Sequence, residues 1–172
     1  MIAIPERMRE LPLDSRGYPI PVIVYRDTDG KPHFTINDSR AVDRVIRYDL
    51  CAICGTKLWR GRWFVGGPGS AFHEHGAYLD PPLHAECCEY ALQVCPYLAA
   101  PKYAKRIDAK TLNPAKLNAA LLVDHTQDPN RPETFVAVLA RGQKMTDNGY
   151  FRPVRPYIAV HYWRAGKRVR GI

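Results

Sequence analysis

The spacing of apolar and polar positions changes period several times along the chain, and each change marks an element. Residues 1 to 19 are interrupted by Pro5, Pro12, Gly17 and Pro19 and read as an extended arm. Ile20 to Arg26 is rich in β-branched residues, Asp27-Thr28-Asp29-Gly30 is a turn cluster, and Lys31 to Ile36 alternates again, which predicts a β-hairpin. Asn37 or Asp38 then caps a predicted helix running to about Tyr48. Ala41, Val42, Val45 and Ile46 share one face of it, while Arg40, Arg44 and Arg47 share another. Such an arginine stripe can meet phosphate, but more often it is the solvated side of a packed helix.

Past Cys51 the pattern shortens. Lys57 to Trp59 and Arg62 to Val65 predict two strands joined at Arg60-Gly61. Gly66 to Pro82, with four glycines and three prolines, predicts a loop, and Leu83 to about Leu98 a helix. Lys102 to Lys110 is basic and reads as surface; Asn113-Pro114 opens a predicted helix over 115–123; Thr126 to Pro132 is a loop. Thr134 to Ala140 and Tyr157 to Trp163 predict strands, Asp147-Asn148-Gly149 a tight turn, and Gly166 a bend into a short basic tail. No internal repeat or linker appears. The expectation is one α+β domain over 1–172, made of an arm, hairpin and helix (1–50), a central part (51–98) and a basic α/β part (99–172).

Composition narrows the class. The 172 residues are 46% hydrophobic and 24% charged, ordinary for a globular chain. No apolar run approaches the roughly 20 residues of a membrane span, and the first residues lack a signal-peptide pattern. No membrane partner is expected. Five cysteines, four of them in or beside one cluster, fit a reducing cytoplasmic setting better than a disulfide framework. The formal net charge is +8. From Arg141 onward eight basic residues face one acid, Asp147, which points to a polyanionic partner or an acidic protein surface.

The densest chemistry is Cys51-Ala-Ile-Cys54-Gly55 followed by His84-Ala-Glu-Cys87. Two thiolates in a tight turn and a His and Cys three apart at a helix start form a four-ligand zinc set. Cys88, one position on, could replace Cys87, and His73 or His75 could displace His84. Cys95 reads as a buried small apolar residue. Four protein ligands leave no open position on the metal, so the expected Zn2+ is structural.

Knuckle, hairpin and ligand-bearing helix in this order resemble the treble-clef zinc finger over Cys51 to about Leu98. The stretch from Leu83 to Leu98 is also similar to small proteins of actinobacteria and their phages, a likeness that implies no activity. The treble-clef resemblance implies a binding module or, less often, an HNH nuclease. For the nuclease, His73-Glu74-His75 and Asp80 stand near the expected place, but the usual Asp-His pair and later Asn and His are missing there; Asp124-His125 lies far downstream. Gly66-Gly67-Pro68-Gly69-Ser70 lacks the lysine and the strand-to-helix setting of a phosphate-binding loop. No nucleophile–base pair stands out.

Aromatic and basic residues interleave at Trp59-Arg60-Gly61-Arg62-Trp63 and at Tyr162-Trp163-Arg164. Stacking rings beside cations suit single-stranded nucleic acid, while strand alternation puts rings in the core and arginines in water; core packing is the expectation for Trp59 or Trp63. The reading is a zinc-stabilised binding protein, with an HNH-like nuclease as the minor alternative, that contacts nucleic acid through Arg60, Arg62, Arg152, Arg155, Arg164, Lys167, Arg168 and Arg170. The alternative class is an adaptor or phage-encoded inhibitor of a host protein, with the basic segment as its electrostatic lure.

Overall fold

The computed structural model describes residues 2–99 and 132–171. The basic segment 102–110, the helix expected over 115–123, Asp124-His125 and most of the loop from Thr126 lie outside the described residues. The N-terminal arm is not simply extended. A 3-10 turn at Glu6–Met8 buries Met8, Leu13 bridges Pro19, and the Val22 N–H donates to the Ile53 carbonyl (3.0 Å). Ile4, Met8, Leu11 and Tyr18 pack against the centre of the molecule, and Arg7 pairs with Glu86 there.

The hairpin forms as β1 (Val24–Arg26) and β2 (Pro32–Asn37). Asp38 then caps α1 (Ser39–Tyr48), its carboxylate accepting from the N–H groups of Arg40 and Ala41. Val42 and Val45 are buried; Arg40, Arg44 and Arg47 are exposed. The helix ends on Asp49 in the left-handed region (φ 55°). A non-glycine residue there carries strain; two hydrogen bonds from Arg62 Nη2 to the Asp49 carboxylate, at 2.7 and 2.6 Å, hold it in place.

Next come β3 (Arg62–Gly66), α2 (Pro68–Phe72), α3 (Ala85–Val94) and α4 (Pro96–Ala99). α2 lies inside the predicted loop: Gly67-Pro68 starts it with proline at its first position, and it is too short for a periodic signal. The single helix expected over 83–98 breaks at Cys95, because Pro96 drives the residue before it to extended geometry (ψ 120°).

The remaining strands are β4 (Phe135–Ala140), β5 (Gln143–Met145), β6 (Phe151–Pro153), β7 (Ala159–Arg164) and β8 (Lys167–Val169). β5 and β6 flank the expected Asp147-Asn148-Gly149 turn. The main sheet is antiparallel, in the order β3-β4-β7-β8. Trp63, Phe135, Ala137 and Trp163 face a core shared with the cysteines and α3. Phe64, Val136, Val138 and Ala140 face a second core with Ala71, Tyr78 and Phe151. Buried on both sides, β4 is a continuous apolar run rather than an alternating one.

Two expectations fail here. Lys57 to Trp59 does not pair with Arg62 to Val65. Lys57 bridges Leu50 instead, and β3 pairs with β4, about seventy residues further along the chain. Burial decides this: β4 offers β3 an apolar partner over five residue pairs. The short basic tail is likewise a strand. Ala165 and Gly166, both at positive φ, turn the chain so that β8 pairs with β7.

Candidate metal centre

A tight knuckle carries the first two cysteines. The Cys51 N–H donates to the Thr56 carbonyl and the Gly55 N–H to the Cys51 carbonyl, both at 2.9 Å. Gly55 sits at φ 71°, and a Cβ there would lie 3.0 Å from Val22 Cγ1, so both the turn and the arm packed on it require glycine. The second pair arrives along the edge of β3. Trp63 and Leu83 exchange backbone hydrogen bonds of 3.0 and 2.8 Å, and His84 follows at once as the residue preceding α3. Cys87 lies one turn into the helix.

Cys51 Sγ, Cys54 Sγ, a ring nitrogen of His84 and Cys87 Sγ all lie within 4.8 Å of one another, close enough to hold one metal ion. His84 Nδ1 is 3.4 Å from Cys54 Sγ, and His84 Nε2 is 3.0 Å from the Lys57 carbonyl. A carbonyl only accepts, so Nε2 carries the proton and the Nδ1 lone pair faces the sulfurs. This is the orienting hydrogen bond that metal-bound histidines usually make. The His84 N–H points at Cys51 Sγ (3.5 Å), and Thr56 Oγ1 lies 3.2 Å from Cys54 Sγ; both can donate to a thiolate.

The sulfurs are electrostatically coupled. Hydrogen bonds from Cys51 and then Cys87 hold the Cys54 thiol well below its usual range. Cys51 is pushed up to about 11, first by Cys54, and Cys87 is pushed up by Cys51 and Cys54. Ionising one of these thiols therefore makes it harder to ionise its neighbours. A divalent cation relieves this crowding by replacing the protons. With three thiolates and one imidazole in a buried pocket, the donor set fits zinc.

Cys88 stands apart from the set. It is buried, and that burial raises its thiol. His73 and His75 are exposed, 5.7 Å apart between ring centroids, and away from the sulfurs. Asp80 accepts from Asn37 Nδ2 (2.7 Å). Among the described residues no second group gathers that could hold a metal.

The basic residues separate into two kinds. Arg62 is bound to Asp49, and Arg155 donates to the carbonyls of Ala71 and His73 (2.9 and 2.6 Å) at the end of α2. Arg152 reaches the His75 carbonyl and Arg164 the Thr134 hydroxyl. Arg60, Lys167, Arg168 and Arg170 are exposed, as are Arg152, Arg155 and Arg164 despite those contacts. Trp63 is 9% exposed and Trp59 71%, so one ring of the aromatic pair is core and the other is in water. Thr56 and the Lys57 carbonyl, absent from the sequence reading, support the ligands from behind; their closeness to Cys54 in the chain was the available signal.

Comparison of the chain with family models, curated proteins and solved structures returns no match. Among the described residues no helix is long and apolar enough to cross a membrane.

Proposed function

We propose that this is a zinc-stabilised binding module whose centre keeps the knuckle and the ligand-bearing helix of a treble clef without the local hairpin between them, and that its ligand is nucleic acid. Four protein side chains close the metal's coordination, so the zinc organises structure and performs no chemistry. The observation that carries the nucleic-acid reading is the distribution of exposed charge around the centre. Arg40, Arg44 and Arg47 run along α1, and Lys57 and Arg60 continue on the segment leaving the knuckle. Asp43 is the exposed acid of this stretch; Asp49 is neutralised by Arg62. Lys167 and Arg168 lie on edge strand β8, where charge also deters sheet-to-sheet pairing. They are therefore weaker indicators than the α1 stripe.

The test is binding to random-sequence DNA and RNA and to heparin as salt is varied. Each neutralised phosphate contributes about −0.9 to the log–log slope on duplex DNA, so about five contacts predict a roughly 10²–10³-fold loss between 50 and 200 mM salt. No retention on any of these polyanions at low salt would end this reading. Capture of a host protein that survives nuclease treatment would favour an acidic protein surface instead.

A further inference from the structure

The sequence scatters 15 prolines along the chain, and the fold gathers six of them on one cavity. Pro19 and Pro21 lie between the arm and β1, Pro68 opens α2, Pro81 leads toward α3, Pro96 opens α4 and Pro132 precedes β4. Proline has no N–H and a fixed φ, so walls of this kind cannot close on each other by backbone pairing. Among the described residues the space between them is about 620 Å³, within the roughly 300–1,000 Å³ of small-molecule sites. Tyr18, Phe34, Tyr90 and Tyr97 add flat faces to it, while Ala52 and Ala91 leave room that larger side chains would fill. An apolar wall with no facing atoms forgoes its dispersion contacts, so leaving such a space empty costs the fold stability.

The charges at the cavity indicate what fits it. Among its described lining residues Arg16 is the one cation and Asp80 the one acid. Arg16 Nε and Nη2 donate to the Asp14 carboxylate (2.8 and 2.6 Å). The same guanidinium lies over the rings of Tyr18 and Phe34, 5.3 and 5.5 Å from their centroids. Asp80 accepts from Asn37 Nδ2 (2.7 Å). A phosphate or carboxylate entering here would give up water for a cation already matched by Asp14. A cationic guest would meet Arg16 already stacked on two of the rings. What remains is a proline and aromatic surface, with the Thr35 and Ser70 hydroxyls and the Asn37–Asp80 pair to meet one polar edge.

We propose that this cavity binds a neutral, flat, largely apolar small molecule, with Phe34, Tyr90 and Tyr97 against its rings and the Asn37–Asp80 pair toward a polar edge. The metal centre builds part of the wall. Ala52 and Ile53 stand between the first two ligands, and Ala91 and Val94 line the cavity from the helix that carries Cys87. The site is independent of the nucleic-acid reading, since none of the α1 arginines lines it.

N-phenylnaphthylamine is neutral and brightens in apolar surroundings; anilinonaphthalene sulfonate has the same rings plus a negative charge. Titrated into the zinc-loaded full chain, the neutral probe should bind saturably at one site per chain, and the sulfonate roughly tenfold more weakly. Ala91→Phe fills the cavity from α3 and should weaken the neutral probe by about tenfold or more. Phe34→Ala, at a half-buried hairpin position, removes one wall and should weaken it roughly five- to tenfold. Trp59→Ala removes an exposed ring outside the cavity and should change nothing. Absence of saturable binding to the parent would mean that the chain closes the cavity itself, and the proposal falls. It falls equally if Ala91→Phe and Phe34→Ala both bind like the parent, or if Trp59→Ala loses the probe, since the probe then sits elsewhere. A sulfonate that binds more tightly than the neutral probe would overturn the ligand class.

Discussion

Single residues carry some of the sharpest consequences of this fold. Ala165 sits at φ 47° and Gly166 at φ 74°, the pattern of a two-residue hairpin turn that favours Asn-Gly. The alanine Cβ costs about 1 kcal/mol in that conformation. Ala165→Asn should therefore stabilise the protein by about 0.5–1 kcal/mol, a rise of a few degrees in thermal midpoint. An unchanged or lower midpoint would mean that β7 and β8 are not joined by this turn. The same scale shows where sequence runs out. Trp59 and Trp63 have the same parity, so one continuous strand would send both to one face. The chain breaks at the expected Arg60-Gly61 join, and Trp59 goes with the segment that bridges back to Leu50 while Trp63 goes with the sheet. The join is legible in the sequence; the parting of its two halves is not, because each alternates correctly wherever it pairs. The Cys54-to-Thr56 contact, by contrast, spans two residues and follows from local turn geometry.

At the scale of elements, what is set locally was legible and what is set by distant pairing was not. Asp38 capping α1 and the two turns at Gly30 and Gly149 follow from a few adjacent residues. The partner of β3 does not, because the choice between residues 57–59 and β4 depends on which offers apolar cover on both faces. α3 is intermediate. A helix puts residues three and four apart on nearly the same side, so Cys87 and Cys88 compete on equal terms in sequence. The direction from which the knuckle meets the helix decides for Cys87. Cys88→Ala should therefore bind one zinc per chain and lose only about 1 kcal/mol, as expected for a small buried apolar residue. Cys87→Ala should lose the metal at neutral pH. Metal content after gel filtration, with the visible spectrum of the cobalt-substituted protein, reads both. Zinc retained by Cys87→Ala and lost by Cys88→Ala would reassign the ligand.

The whole molecule is organised so that metal and sheet cannot be separated. Cys51, Cys54 and Cys87 belong to the core that also holds Phe135, Ala137 and Trp163. The intervening residues of β4, Val136 and Val138, belong to the second core with Phe64 and Phe151. One strand thus stitches the two together, and loosening either face releases backbone hydrogen bonds that serve both. Structural zinc sites contribute on the order of 10–16 kcal/mol at neutral pH, comparable to the roughly 5–15 kcal/mol that holds a domain folded. Removing the metal with a strong chelator should therefore lower the thermal midpoint by tens of degrees or abolish the transition. Buried Trp63 and Trp163 should lose their near-ultraviolet signal together with the backbone signal, in one step. Readdition of zinc should restore both. An apoprotein melting at the holoprotein's temperature would show that packing alone holds the knuckle. Loss of the tryptophan signal with the sheet intact would show that β4 does not couple the two cores.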